Sequence, residues 1–384
     1  MNPIYLDYNA TTPIKREIAD AMTPYLYEHF GNPSSAHPFG VQTKAAVNDA
    51  RDQVAALLGC SPAEIVFTGG GSEANNTAIK GVADVYGDRG QHIITSAIEH
   101  PAVSEPCAYL ERRRGFRITV IPVDETGRVN PDDVRAAITP ETILISIMHA
   151  NNEVGTIQPI AEIAQIAHEA GALMHVDAAQ SVGKIPVKVD DLGADFLTLA
   201  GHKLYAPKGI GALYVRTGIA FEPLIHGASH EAGRRAGTEN VLQIVGLGVA
   251  AALGERDMDQ NMAYLCAMRD QLYRTLRQAF GPYQMKLNTP YDPCDRALPN
   301  TLSVSFRGVE ANTLLAQIGD RVAASAGAAC HAGEVTLSKV IAAMGVHLDY
   351  AMGTVRLSVG TPTTPDEIDT AAQVIIAAVR GMQA

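Results

Sequence analysis

The sequence has no tryptophan, few cysteines, and no long run of basic or apolar residues. Its five cysteines are odd in number and widely scattered, at positions 60, 107, 266, 294 and 330. No two of them form a Cys-x-x-Cys pair, so a disulfide scaffold is not expected. This pattern is typical of a reducing compartment, and it predicts a cytoplasmic protein whose thiols stay free.

Basic residues are fewer than acidic ones: the sequence has 30 Lys and Arg and 41 Asp and Glu, which gives a formal net charge of −11. The longest basic run is 112–114, so binding to nucleic acid or to an anionic membrane is not expected. The most apolar stretch, 241–254, falls short of the roughly 18 residues that a membrane span needs. Residues 1–8 carry Asp7 and no basic or apolar segment, which predicts that no signal peptide is present.

The first two-thirds of the chain alternate short apolar runs with helical patterns. The runs 143–148, 173–176 and 196–199 are continuous rather than alternating, which is typical of strands buried on both faces. Between two of them lies a helical stripe, 160–167, which is followed by a glycine at position 171. We therefore predict a mostly parallel sheet in a large three-layer α/β/α domain over residues 14–255.

The pattern changes after about residue 255. Leu302, Val304 and Phe306 alternate with polar residues, which predicts a half-exposed strand. A threonine, a proline and two acids at 364–367 predict the start of a C-terminal helix. We interpret residues 1–13 and 256–384 as a smaller α+β domain.

Three local patterns point to a cofactor site. Residues 68–73 (TGGGSE) follow an apolar run and open a helical pattern, so backbone N–H groups could converge on an anion at Gly71 and Ser72. Asp177 ends the run 173–176, and the carboxyl ends of strands are where open α/β sheets bind ligands. Lys203 follows the run 196–199 directly, and a desolvated lysine is a candidate nucleophile toward a carbonyl.

Taken together, these residues match what pyridoxal 5'-phosphate (PLP) needs. The cofactor requires an amine for its aldehyde, an acid for its pyridine nitrogen, a phosphate cradle and a flat partner for its ring. Lys203, Asp177 and the helix start at Gly71–Ser72 would supply the first three. His100, which follows another strand, is the best candidate for the ring partner.

Motifs in a fixed order then make the sequence resemble the cysteine desulfurases of the class V aminotransferase superfamily. The matching segments span nearly the whole chain: 6–13 (LDYNATTP), 31–35 (GNPSS), 150–155 (ANNEVG), 175–180 (HVDAAQ), 201–203 (GHK), 235–240 (RAGTEN), 325–330 (SAGAAC) and 356–360 (RLSVG). The resemblance implies the fold-type I architecture of PLP-dependent transferases.

The resemblance also implies roles for individual residues around PLP. Lys203 would bind the cofactor covalently and later move the Cα proton of the substrate. Asp177 would hold the proton of the pyridine nitrogen, and Gln180 would contact the phenolic oxygen of the ring. His100 would stack on the ring and assist proton transfer, and Asn152 would also lie against the cofactor.

The phosphate group would be bound by Ser72, the N–H of Gly71 and His202. Thr238 would reach the phosphate in the neighbouring subunit, so the resemblance implies a homodimer. Asn152 and Arg356 would hold the carboxylate of the substrate L-cysteine, the arginine as a bidentate fork.

Cys330 completes the implied site. Its thiolate would attack the sulfur of the bound cysteine and become a persulfide, leaving L-alanine, for transfer to an acceptor or scaffold protein in iron–sulfur cluster or other thio-cofactor assembly. The small and polar residues around it predict a mobile loop over about 325–336. The other four cysteines are expected to be inert.

Two alternatives stay open from the sequence. Two positions resemble the related selenocysteine lyases, which use the same cofactor and cysteine. They are Ala200, where many desulfurases have serine, and His331, which follows Cys330. A zinc hydrolase is a weaker alternative, based on His226, His230 and Glu231, because the order is not His-Glu-x-x-His. A purely structural scaffold is disfavoured by the presence of both Lys203 and Cys330.

Overall fold

The computed structural model describes residues 2–291, 296–331 and 334–383, except for the side chains of 328–331 and 334–336. The fifteen strands of this part are, in chain order, β1 (Ile4–Tyr5), β2 (Ile65–Thr68), β3 (His92–Ser96), β4 (Arg117–Ile121), β5 (Thr142–Met148), β6 (Leu173–Asp177), β7 (Phe196–Ala200), β8 (Gly211–Val215), β9 (Met285–Leu287), β10 (Thr301–Phe306), β11 (Val322–Ala323), β12 (Ser325–Ala326), β13 (Ala328–His331), β14 (Glu334–Leu337) and β15 (Thr354–Ser358).

Helices alternate with these strands through most of the described chain. They are α1 (Arg16–Met22), α2 (Pro38–Leu58), α3 (Gly71–Tyr86), α4 (Pro101–Arg114), α5 (Pro131–Ala137), α6 (Ile160–Glu169), α7 (Val189–Leu192), α8 (Val241–Arg256), α9 (Met258–Gln284), α10 (Ala311–Ile318), α11 (Lys339–Ala343), α12 (Leu348–Ala351) and α13 (Pro365–Gln383). No helix of the described residues is both long enough and apolar enough to cross a membrane.

The main sheet has seven strands in the order β2-β8-β7-β6-β5-β3-β4. Only β8 runs antiparallel to its neighbours, and the other adjacent pairs are parallel. The prediction of a mostly parallel sheet is therefore confirmed. In β5 all seven residues are buried, which explains why the sequence of that strand is apolar without alternation.

Helices cover both faces of this sheet, and successive residues of one strand pack on opposite sides. Ile94 packs in a cluster with residues of α2, α6 and α8, whereas Ile93 packs with residues of α3 and α4. The three-layer arrangement is therefore as predicted. Helix α2 ends at Gly59, whose φ of 71° is in the left-handed region that favours glycine.

A second hydrophobic cluster lies under a four-stranded antiparallel sheet of order β12-β15-β10-β9. It contains Leu6 together with residues of α9, α10 and α13. Helix α13 begins at Pro365, as the sequence predicts. The division of the chain into domains at 14–255 stays a prediction, because packing clusters alone do not define independent folding units.

The prediction of a half-exposed strand at 302–306 is wrong, since all six residues of β10 are buried. Its polar side chains have buried partners instead of water. The side-chain amide of Asn288 donates to the hydroxyls of Ser303 and Ser305, at 3.3 and 2.8 Å. A polar residue in an alternating strand therefore marks hydrogen bonding here, and not exposure.

Candidate active site

One cavity of about 450 Å³ opens at the carboxyl ends of the central strands. Met148, Asp177 and Ala200, the last residues of β5, β6 and β7, line it. Most of the site residues predicted from the sequence line it as well: Gly71, Ser72, His100, Asn152, Asp177, Gln180, His202, Lys203 and Arg356. The structure thus brings together residues that are up to 285 positions apart in the chain.

Lys203 ends the short 3-10 turn Gly201–Lys203 that follows β7. Its Nζ donates to the backbone oxygens of Asn9 at 2.5 Å and Ala10 at 2.7 Å. Burial and the guanidinium of Arg356 lower the pKa of Lys203 to about 8. Near neutral pH the side chain therefore has a larger neutral fraction than an ordinary lysine, and the neutral amine is the form that attacks an aldehyde.

The carboxylate of Asp177 is buried and accepts two hydrogen bonds. Its Oδ2 accepts from Nδ2 of Asn75 at 2.8 Å, and its Oδ1 accepts from the backbone N–H of Ala179 at 3.0 Å. Asn75 was not identified from the sequence. It lies one turn after the start of α3 at Gly71, and that spacing was the available signal.

His100 caps the N-terminus of α4, and its Nδ1 accepts from the backbone N–H of Ala102 at 3.0 Å. The proton of the neutral ring is therefore on Nε2. Burial lowers the pKa of His100. The negative charge of Asp177 opposes this effect, and the positive charge of Lys203 adds to it. The ring is thus a neutral partner at neutral pH, suited to lie against another ring.

The start of α3 lies where the sequence predicts an anion cradle. Gly71 and Ser72 are its first residues, so their backbone N–H groups have no partner inside the helix. Burial, with a smaller contribution from the charge of Lys203, lowers the pKa of His202 to about 4. His202 is therefore neutral at physiological pH.

Arg356 is held in place by groups from three other segments. Its Nη2 donates to Oδ1 of Asp7 at 2.7 Å and to the hydroxyl of Ser325 at 3.0 Å. Its Nη1 donates to the backbone oxygen of Asn152 at 3.0 Å. Another donor, Nε, is buried and has no partner in the described structure. Asp7 was also missed as a functional residue, although it lies in one of the matching motifs.

Among the predicted residues whose side chains the structure describes, Thr238 does not line the cavity. Thr238 is exposed, in the segment between the 3-10 turn His230–Gly233 and α8. Cys330 lies in β13, which pairs with β14 so that Cys330 is opposite Val335, and its side chain is outside the described residues. The sequence predicts a mobile loop over about 325–336, and the structure has the antiparallel strands β13 and β14 in this region. At the base of this strand pair, the backbone N–H of Ser338 donates to the backbone oxygen of Gly327 at 2.9 Å.

The other cysteines differ from a reactive thiol. Burial raises the pKa of both Cys60 and Cys107 to about 12, so neither is a thiolate at neutral pH. Cys266 lies half-buried in α9, and Cys294 is outside the described residues. The expectation that these cysteines are inert is consistent with the pKa shifts of Cys60 and Cys107.

The residues of the zinc alternative do not form a ligand set. Both oxygens of Glu231 accept from Arg51, at 2.8 and 2.7 Å, and one also accepts from the backbone of Phe67. His226 is exposed, and His230 interacts with the backbone N–H of Gly237. Within the described ranges, no group of three potential ligands could hold a metal ion.

The chemistry of the cavity fits PLP. It combines an amine with a lowered pKa, a buried carboxylate, a helix N-terminus and a neutral histidine. The unpartnered buried Nε of Arg356 and Oδ1 of Asn75 are two further polar atoms that a bound molecule could satisfy. These features define the class of protein, an enzyme built for a carbonyl cofactor with an anionic group.

Comparisons with known proteins specify that class. The model of the family "Aminotransferase class-V" matches residues 4–370. The chain is 46% identical over 367 residues to "Cysteine desulfurase IscS" of Dictyoglomus turgidum, which covers 95% of this chain and 92% of the relative.

Solved structures agree with the sequence relatives. A "NifS-like protein" superposes with a TM-score of 0.92 at 36% identity, covering 99% of this chain and all of that one. A structure described as "SspA in complex with cysteine" has a TM-score of 0.81 at 38% identity, with 94% of this chain and 100% of that one covered. The chain therefore belongs to the class V aminotransferase family and, within it, to the cysteine desulfurases, whose cofactor is PLP.

Proposed function

We propose that this chain is a PLP-dependent cysteine desulfurase that carries the released sulfur as a persulfide on Cys330. In the overall reaction, L-cysteine and the Cys330 thiol give L-alanine and the Cys330 persulfide, so one sulfur atom moves and no other oxidant is needed. The observation that carries the proposal is the convergence of Lys203, Asp177 and Arg356 on one cavity. Identity of 46% to a cysteine desulfurase supports it.

Several residues of the cavity would hold PLP. Asp177 would face the pyridine nitrogen, His100 the ring, and the start of α3 with His202 the phosphate. When bound, PLP supplies an aldehyde and a ring that withdraws electrons from the substrate Cα. Asn75 keeps the Asp177 carboxylate oriented, since it donates to Oδ2 at 2.8 Å.

Lys203 has two tasks in this proposal. Its neutral amine would condense with the aldehyde of PLP, with loss of water, and the lowered pKa of about 8 favours that neutral form. During turnover the same amine takes the proton from the substrate Cα and returns it. The backbone oxygens of Asn9 and Ala10 accept from Nζ and keep it at the edge of the cavity.

Arg356 and Asn152 would bind the substrate carboxylate. Arg356 is already fixed by Asp7 and Ser325, so little side-chain freedom is lost when an anion binds. Nη1 carries a second N–H besides the one bonded to Asn152, so the guanidinium keeps a donor for that anion. Cys330, in β13, would then bring its thiolate to the sulfur of the bound cysteine.

A homodimer belongs to the same proposal. Apolar side chains are exposed at the start of α2 and just before it: Leu26, Tyr27, Phe30, Phe39 and Val41. Glu239, which follows Thr238 in the chain, has a side-chain carboxylate that accepts from Nζ of Lys44 in α2 at 3.2 Å. An apolar surface beside Thr238 would place this residue against a second subunit, where it could reach the other phosphate.

Two further parts of the proposal have less structural support. The persulfide sulfur would pass to an acceptor or scaffold protein, for iron–sulfur cluster or thio-cofactor assembly, which rests on the family alone. A cytoplasmic location stays a prediction from the cysteine pattern. The names of the sequence relatives favour cysteine over selenocysteine as substrate.

The test is parallel turnover of L-cysteine and L-selenocysteine by the purified enzyme, with a dithiol reductant to release the sulfur. We expect strong sulfide and alanine formation from L-cysteine. Lys203→Ala should lose all activity and the borohydride-sensitive yellow colour, whereas Cys330→Ala should keep the colour and lose sulfide release. Turnover of selenocysteine alone would favour the selenocysteine lyase alternative and contradict the proposal.

A further inference from the structure

Lys184 is a buried lysine that the proposed reaction does not use. It follows the turn after β6, and only 7% of its surface is exposed. No carboxylate of the described residues forms an ion pair with it, and burial lowers its pKa well below the ordinary value. A lysine without a counter-charge is costly to bury unless its N–H groups have hydrogen-bonding partners.

Two side-chain amides provide those partners. Nζ of Lys184 donates to Oε1 of Gln180 at 2.8 Å and to Oδ1 of Asn9 at 3.2 Å. Both amides belong to the wall of the cavity. Lys184 therefore contacts the oxygen end of each amide, from behind the site.

The nitrogen of each amide has partners of its own, and Oδ1 of Asn9 also accepts from Nδ2 of Asn300 at 3.0 Å. Nε2 of Gln180 donates to the backbone oxygen of Asn9 at 3.0 Å, and that same oxygen accepts from Nζ of Lys203. Nδ2 of Asn9 donates to the backbone oxygen of Asn152 at 3.1 Å and to Thr301. With its oxygen held by Lys184, Gln180 keeps one hydrogen of Nε2 free to face the cavity.

We propose that Lys184 is a positioning residue, which holds the amides of Gln180 and Asn9 so that Gln180 presents an N–H to the bound cofactor. The inference rests on the proposed function, because it requires PLP in the cavity. An amide can turn by 180° at little steric cost, which would exchange a donor for an acceptor at this wall. Lys184 disfavours that exchange, because turning the Gln180 amide would break the 2.8 Å hydrogen bond from Nζ of Lys184 to Oε1.

The test compares Lys184→Met with Lys188→Met, both prepared as holoenzyme. Met retains the length of the side chain and removes the donor. Lys188 is a matched control, since it is half-exposed and bonds the backbone of α2. We expect Lys184→Met to shift the visible absorption band of the bound cofactor and to raise its dissociation constant about tenfold. Lys188→Met should match the parent in both measurements.

A double-mutant cycle separates positioning from general destabilisation. If Lys184 acts through Gln180, the variant Gln180→Ala/Lys184→Met should have the same band position and affinity as Gln180→Ala alone. Independent, additive effects in the cycle contradict the inference. So does a parental spectrum and affinity for Lys184→Met.

A second variant covers the case in which Lys184→Met does not fold. Lys184→Gln keeps an N–H donor without a charge, so it should restore the parental band position, and it should have no effect when Gln180 is already alanine. A shifted band in Lys184→Gln that persists in the Gln180→Ala background contradicts the inference. If the parent itself takes up no PLP, the proposed function is what fails.

Discussion

Arg356 and Asp7 form an ion pair at the edge of the cavity, with Nη2 and Oδ1 2.7 Å apart and the side chains 11% and 18% exposed. The two residues are 349 positions apart in the chain. The pair orients the guanidinium, whose Nη1 also donates to the backbone oxygen of Asn152 at 3.0 Å. Arg356 is therefore preorganised for an anion, which on our account is the substrate carboxylate.

Replacing Arg356 by lysine should weaken substrate binding and leave the cofactor in place. Lysine keeps the positive charge but lacks the planar fork, so we expect KM for L-cysteine to rise about tenfold or more. The measurement is steady-state kinetics together with the visible spectrum. Arg380→Lys, on an exposed part of α13, is the control and should resemble the parent. An unchanged KM for Arg356→Lys would show that another group binds the carboxylate.

Uptake of PLP by the cofactor-free enzyme should depend on pH through Lys203. The neutral amine reacts, and the pKa of Lys203 is lowered to about 8, so the rate of colour formation should rise with pH and level off above about 8. The positive charge of Arg356 helps to lower that pKa. Arg356→Met should therefore move the midpoint to higher pH. A parental midpoint near the ordinary lysine value of 10.5 would contradict this assignment.

Ser338→Ala should loosen the base of the strand pair that carries Cys330. The Ser338 hydroxyl donates to Oε2 of Glu153 at 2.5 Å and caps α11 by accepting from the N–H of Val340 at 3.1 Å. Loss of a cap costs about 1 kcal/mol of the free energy of unfolding. We expect that loss in denaturant titrations, with slower sulfur release and an unchanged cofactor spectrum. Ser338→Thr keeps the hydroxyl and should behave like the parent; a loss equal to that of alanine would exclude this role.

Arg51→Met should destabilise the fold without a direct effect on chemistry. Arg51 and Glu231 form a nearly buried pair, 14% and 3% exposed, and Glu231 has a φ of 49°. Leaving Glu231 as an uncompensated buried charge costs about 3–5 kcal/mol. Thermal and chemical unfolding measure this loss. Arg135→Met removes the exposed pair with Glu169 and should change stability by less than about 1 kcal/mol; similar losses in both variants would contradict the argument.

The sequence was sufficient to predict the large sheet and the part of the site that lies at its edge. Strands buried on both faces, such as β5, give continuous apolar runs. Asp177 and Lys203 directly follow two such runs, so their place at the carboxyl edge follows from the topology. Gly71 and Ser72 begin a helix, as their position after a strand predicts.

The hydrogen bonds among polar side chains around the site could not be predicted from sequence patterns. Asn9, for example, has partners at Ser358 and Thr301, hundreds of residues away, and nothing local indicates those contacts. The same long-range hydrogen bonding explains the wrong prediction for β10, whose serines are buried against Asn288. Local periodicity reports which face is polar, and only tertiary structure decides whether water or another side chain satisfies it.

The most direct test of the account is to locate the sulfur after a single turnover of L-cysteine in the absence of reductant. Mass spectrometry of the digested enzyme should find one additional sulfur atom on the peptide that contains Cys330. L-Alanine should form in equal amount, and neither product should appear with Cys330→Ala. Sulfur carried on Cys60 or Cys107, or alanine formed at the parental rate by Cys330→Ala, would contradict the central claim.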